Sequence, residues 1–218
     1  MPLRQVPVGC ARATGFCIAL LLAVVIALAQ SRAATDNASP AALAFIQDLG
    51  NDALKGLINP AIAPSEREAR FRRLLNDHFD IATISRFVLG RYWRSANAAQ
   101  RAQFQQLYVD FIVGSYSMRF SDYLGEGVKV TGSDVEDDGT VLVHSKIDMP
   151  SADDIRVDWR LHRTAGSFSI VDIVIEGASM GVTQRSEFAS VIQNQGVDGL
   201  IDALRTKKLQ PVNSSTQQ

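Results

Sequence analysis

Cysteine is nearly absent. The 218-residue chain has two, Cys10 and Cys17, and none after them. Past that point there is no disulfide framework, no thiol catalysis and no cysteine-held zinc. A basic excess is missing too: Lys and Arg number 22 against 23 Asp and Glu, a net charge of -1. Nothing is left over to neutralise a polyanion, which excludes nucleic acid as a partner. The apolar run from Phe16 to Leu28 has thirteen residues, short of the roughly 20 that span a bilayer. There is no glycine-rich phosphate loop, no Gly-x-Ser-x-Gly elbow and no paired-histidine zinc motif. What remains is globular, at 46% hydrophobic and 21% charged, enough for one domain with a real core.

The short run has a different reading. Arg4 and Arg12 precede or flank it, no acidic residue occurs before Asp36, and small residues follow. That is the layout of a secretory signal peptide over residues 1–33. Cleavage after Ala29 or after Ala33 satisfies the small-x-small rule equally well. Loss of this segment removes Arg4, Arg12 and Arg32 and leaves 19 basic against 23 acidic groups. The expected product is an exported, cysteine-free, mildly acidic domain over 40–209, with a polar disordered tail over 210–218.

Periodicity then orders the body. Phe45, Ile46, Leu49, Ala53 and Leu57 recur at helical steps, and Asn59-Pro60 ends them. Ser65-Glu66-Arg67-Glu68 reads as a capping box before Phe71, Leu74, Leu75, His78 and Phe79. Asp80 can cap a short third helix closed by Gly90. A fourth helix is expected from near Asn97 to about Leu124. After it the period falls to two, giving strands at Val128–Val135, Val141–Ile147, Ile155–Leu161 and Phe168–Ile175. The last is apolar on both faces and reads as a central strand. Two helices finish the chain, one closed by Gly196 and one from Asp198 through Leu204. The class is α+β: helices on an antiparallel meander of about four strands, a cone of the NTF2-like kind.

The fourth helix is the unusual element. At about 100° per residue, Phe104, Leu107, Tyr108, Phe111 and Met118 form one apolar face. Val109, Ile112, Val113, Tyr116, Phe120 and Tyr123 form a second beside it. A surface helix needs a single stripe a little over 100° wide. This helix is therefore buried on two sides or lines an apolar cavity, and periodicity alone leaves both open.

Catalytic equipment is sparse, and the chain reads as no enzyme. His78 lies on a buried helix face, while His144 and His162 share strand faces with Lys146, Asp158 and Arg160, as on a solvated sheet. Asp137-Asp138 and Asp153-Asp154 occupy turns, where Asp is favoured for its own backbone bonding. Ser179 in Gly177-Ala178-Ser179 reads as a turn or cap residue rather than a nucleophile. No catalytic residue, metal ligand or cofactor is assigned. The rival to an apolar binder is an exported NTF2-like enzyme or polar-solute binder, which needs ionisable groups such as His144, His162 and Asp158 converging inside a cavity.

Particular residues add a resemblance. Phe79-Asp80-Ile81, Phe87-Val88-Leu89-Gly90-Arg91-Tyr92-Trp93-Arg94, Gln100-Arg101, Phe104, Tyr116 and Tyr123 are similar to the MlaC (toluene-tolerance) family. So are Val171 through Met180, Gln184 to Phe188, and Gly199-Leu200-Ile201 with Leu204, all in the same order over about Ala41–Lys208. Thr183 to Ile192 with Val157-Asp158-Trp159-Arg160 most resembles the hopanoid-associated HpnM branch. The resemblance implies a periplasmic carrier that takes phospholipid tails into an apolar cavity and has no catalytic residues. It implies exchange with an inner-membrane MCE-type ABC transporter and an outer-membrane lipoprotein complex, maintaining outer-membrane lipid asymmetry. For the HpnM branch it implies a hopanoid-type lipid and an RND-type exporter. The protein is expected to be a monomer. Ile112, Val113, Tyr116, Phe120 and Tyr123, with Val171, Ile173, Ile175 and Met180, are the expected lipid-lining residues. Gly90 and Gly177 are expected at backbone turns.

Overall fold

Helices come first, then a meander, then a bent helical pair. In the computed structural model, which describes residues 38–59, 61–117, 127–149 and 153–209, α1 is Ala38–Leu57 and α2 is Pro64–His78. They are followed by α3 (Ile81–Leu89), the single turn α4 (Tyr92–Ser95) and α5 (Ala98–Tyr116). Strands β1 (Val128–Val135), β2 (Val141–Ile147), β3 (Ile155–Arg163), β4 (Phe168–Ile175) and the two-residue β5 (Ala178–Ser179) form one antiparallel sheet in chain order. The last element, α6 (Met180–Arg205), breaks at Gly196, where φ is 72° and ψ 178°. It is two helical segments, as the sequence indicates, joined without a loop. The signal segment expected over 1–33 and the tail expected over 210–218 lie outside the described residues. Among the described residues no helix is long and apolar enough to cross a membrane.

Most boundaries have a local cause. The Asp80 carboxylate accepts from Thr83 N at 2.9 Å and caps α3. Gly90 closes that helix at φ 54°, where a Cβ would be strained. Asn97 and Gln100 exchange bonds of 2.9 Å each way, a complete capping box for α5. At α2 the expected box does not form. Pro64, favoured at the first helical position because it has no N–H to leave unsatisfied, starts the helix one residue before Ser65, and no side chain caps it. Arg67 is buried instead, donating through Nε to Leu57 O at 2.8 Å and through Nη2 to Asn59 O at 3.2 Å. It thereby satisfies the Leu57 carbonyl, which the end of α1 leaves without a helical partner. The described part of the long helix ends at Tyr116, and its expected continuation to Leu124 lies outside the described residues.

Strand β4 corrects a second expectation. It lies between β3 and β5 but is not a fully paired central strand. Among the described residues its far side is met by the two-residue β5 at Val174 and Ile175, and by an isolated parallel bridge from Phe79 to Ile170, where Asp80 N donates to Ile170 O at 3.0 Å. Its double apolar pattern comes from a bulge. Leu161 pairs with Ile170 but Arg160 pairs with Asp172, so Val171 is an extra residue. Phe168 and Ile170 face the core before the slip, and Ile173 and Ile175, opposite Trp159 and Val157, share the inward face after it.

Three packed clusters hold these layers. Ala42, Ile46 and Leu49 of α1 meet Val141, Val143, Leu161 and Ile170 of the sheet. Leu57, Phe71 and Leu75 of α1 and α2 meet Val109 and Val113 of α5. Phe104, Tyr108 and Phe111 of α5 surround Phe188 of α6, with ring centroids 5.8–6.0 Å from it. Helix α1 crosses β1 at Gly50, where a Cβ would fall 2.9 Å from Val128 Cβ. Helix propensity alone makes Gly50→Ala stabilising by about 1 kcal/mol. Contact with an atom so near the backbone reverses that sign, and we expect a net loss of about 1–3 kcal/mol, read by urea denaturation.

Candidate functional site

Where the three clusters come together they leave a gap. A cavity of about 400 Å³ lies between the inward face of the sheet and helices α1, α2, α3, α5 and α6. Its floor is Val128, Ile147, Val157, Trp159, Val171, Ile173 and Ile175. Its roof takes stripes at three- and four-residue spacing: Gly50, Ala53, Leu54 and Leu57 from α1 with Ile58 just past its end, Phe71, Leu74 and Leu75 from α2, and Tyr108, Ile112 and Tyr116 from α5.

The two-sided apolar helix is thus resolved into three stripes. Phe104 and Phe111 face α6; Val109 and Val113 pack on α1 and α2; Ile112 and Tyr116 lie between and border the cavity, joined by Tyr108. Of the nine residues expected to line a lipid site, Ile112, Tyr116, Val171, Ile173, Ile175 and Met180 lie on the wall. Val113 does not. One residue past Ile112 is a 100° turn, which places it 1% exposed among Leu57, Phe71 and Leu75. Phe120 and Tyr123 lie outside the described residues. The α1 and α2 walls, Trp159, Tyr108 and Gln184 were absent from the expected site. On α1 the sequence signal was extra apolar width, Leu54 beside Leu57 and then Ile58 just past the helix end, which tracing a single stripe overlooks.

The few polar groups on the wall are satisfied by the protein itself. Trp159 Nε1 donates to Ser145 Oγ at 2.9 Å, and that hydroxyl donates to Val157 O at 2.8 Å. The Asp172 carboxylate accepts from Ser179 Oγ at 2.6 Å, Gly181 N at 3.0 Å and Ile173 N at 2.9 Å. Ser179 also caps α6, accepting from Val182 N at 3.0 Å. Tyr108 OH donates to Gln184 Oε1, and both residues are buried. Burial, with smaller contributions from Tyr116 and Asp172, pushes the Tyr108 phenol well above its ordinary range. The surface left to a guest is almost wholly hydrocarbon, which suits an apolar ligand.

The ionisable groups that a polar site would need are elsewhere. His144 is held between Asp158 at 2.9 Å and Asp134 at 3.0 Å, on the sheet face opposite Val143 and Ser145. Hydrogen bonds accepted by the Asp134 and then the Asp158 carboxylate raise its pKa. None of His144, Asp158 and His162 borders the cavity. His78 packs edge-on against Phe45. Among the described residues no cluster of His, Cys, Asp and Glu could hold a metal ion.

Fold and cavity together define a binding protein for apolar ligands, built as a meander under a helical roof. The MlaC protein family model matches residues 48–206, and the chain belongs to that family. It is 23% identical over 130 residues to the intermembrane phospholipid transport system binding protein MlaC of Haemophilus influenzae, covering 57% of this chain and 60% of that protein. It is also 23% identical over 127 residues to the toluene tolerance protein ttg2D of Pseudomonas putida, covering 58% and 59%. The matched region thus spans about three-fifths of each curated relative. A phospholipid-binding protein from Ralstonia solanacearum, solved in complex with a phospholipid, has the same fold. Its TM-score is 0.61 at 22% identity, over 82% of this chain and 94% of that one.

Tyr108 gives a pH test. Its folded pKa is raised, so its contribution is complete below the unfolded value of about 10 and is lost as pH rises above that. Urea-derived stability should fall between about pH 10 and 11.5, and the fall should be smaller in Tyr108→Phe. The same variant should lose about 1–3 kcal/mol at pH 7, because Gln184 Oε1 is left buried without its donor.

Proposed function

We propose that the protein is a periplasmic lipid carrier: it holds phospholipid acyl chains in the cavity and shuttles them between inner and outer membranes. The observation that carries this is the cavity wall, apolar on every side, with its polar groups bonded inward. Burying hydrocarbon is worth about 25 cal/mol per Å², so acyl chains need no polar partner to be retained. Family membership and a structural neighbour that binds phospholipid support the same cargo. An inner-membrane MCE-type ABC transporter and an outer-membrane lipoprotein complex are the partners this role calls for. The similarity of Thr183 to Ile192 to the hopanoid-associated branch makes a hopanoid-type lipid, handed on by an RND-type exporter, the alternative cargo.

Lipid extraction and native mass spectrometry on protein from its own host test the reading. Phospholipid in sub-stoichiometric to equal amounts is expected. A hopanoid in its place would reassign the cargo, and a protein that is empty and takes up no labelled lipid would end the proposal. Leu54 and Ile175 border the cavity but belong to none of the packed clusters. The double variant Leu54→Asp/Ile175→Asp should therefore fold, as read by circular dichroism, yet carry at least about tenfold less lipid, because a carboxylate cannot be desolvated cheaply against hydrocarbon.

A further inference from the structure

Of the three large hydrophobic residues most exposed among the described ones, Phe87, Val135 and Val182, two belong to one surface. Phe87 on α3 lies over Gly181, where a Cβ would come within 3.1 Å of its ring. Val182 is the next residue of α6 and is 56% exposed. Arg185, one turn further on, stacks on the same Phe87 ring at 5.4 Å from its centroid. Its guanidinium also covers Gly90, whose added Cβ would fall 2.7 Å from Nε. Beyond Gly90, Arg91 lies over Tyr92 at 4.8 Å and donates to its hydroxyl at 2.7 Å. Arg91 and Arg185 share the rim of a surface hollow of about 270 Å³. Neither has a carboxylate within salt-bridge distance among the described residues, whereas Arg70, Arg72, Arg73, Arg156, Arg160 and Arg205 all do.

Arg67, Arg86, Arg94, Arg101 and Arg163 also lack such a carboxylate among the described residues; Arg91 and Arg185 differ in sharing one hollow beside Phe87 and Val182. Stacking holds each guanidinium in place, so little side-chain entropy remains to be lost when its N–H fork meets a carboxylate. An exposed aromatic and a valine beside two such arginines have the composition of an interface hot spot. A bilayer surface is the weaker match, because lipid-binding basic clusters use four to eight cations at about 1 kcal/mol each. The patch is also next to the cavity: Gly181 touches Phe87 on one side and borders the cavity on the other, beside Met180.

We infer that Phe87 and Val182, with Arg91 and Arg185, form the docking surface for a protein partner that presents carboxylates around an apolar contact. As the place where cargo is exchanged, it rests on the carrier reading above; as a surface, it is tested separately from lipid content.

The experiment places a photoreactive phenylalanine analogue at Phe87, at Val182 and, as control, at Val135 of the full chain in its own host. Adducts are identified by mass spectrometry. Positions 87 and 182 should yield one common envelope protein, cross-linked through a peptide rich in Asp or Glu, and position 135 should not. Arg91→Glu/Arg185→Glu should cut that adduct at least tenfold with lipid content and melting temperature unchanged, and Glu→Arg or Asp→Arg in the partner peptide should restore it. Val182→Asp, at an exposed position, gives a second variant with the same expected loss. Absence of an adduct, an adduct indifferent to charge reversal, or cross-linking to lipid with binding to anionic phosphatidylglycerol vesicles would each overturn the proposal. Empty wild-type protein with the charge-dependent adduct intact would instead fail the carrier reading alone.

Discussion

The constraint behind the rest of the structure is the inward bonding of the polar side chains Trp159, Asp172, Tyr108 and Gln184 beside the cavity. A cavity between a sheet and a helical roof exists only if its wall neither collapses nor attracts water. Trp159, Asp172, Tyr108 and Gln184 each bring a polar atom to that wall, and each is bonded to a protein neighbour. Their partners also perform structural tasks. Ser145 ties β2 to β3 through Val157, and Ser179 caps α6 while bonding Asp172. The framework that holds the sheet edge and the start of α6 is thus the same one that keeps the wall apolar.

Helix α5 is the pivot of the packing. Its solvent face is the narrow stripe of Ala99, Gln103, Gln106, Asp110 and Gly114, and the rest of it serves three surfaces, two packed and one open to the cavity. A single residue step separates these roles: Ile112 borders the cavity, while Val113 is locked between α1 and α2. The packed stripes keep the third from closing inward, since interiors resist deformation once side chains interdigitate. The bulge at Val171 does a matching job on the sheet. It switches the inward face of β4 from the core residues Phe168 and Ile170 to the cavity residues Ile173 and Ile175 within one strand.

Element order, the class of the fold and the helix caps at Asp80 and Asn97 were legible because they depend on neighbours within four residues. The boundary that was misread, at α2, also had a local signal: proline at the first helical position outranks a nearby Ser-x-x-Glu pattern when Arg67 is needed to bond the end of α1. The unusual width of α5 was visible as well, but not its division, because Val113 and Ile112 differ in what stands opposite them rather than in chemistry. The double apolar pattern of β4 misled for a related reason. A bulge and a strand covered on both faces give the same string of valines and isoleucines.

The chain alone therefore settled which segments are helix and which are strand, since backbone preference and apolar period are written along it. Tertiary structure decided which apolar side chains fill space and which enclose it. That choice depends on the distance between elements far apart in the chain: Gly50 lets α1 close on Val128, while Trp159 and Ile112 meet across open volume. Burial drives all of these residues inward alike, and only the geometry of their opposing surfaces separates a wall from a core.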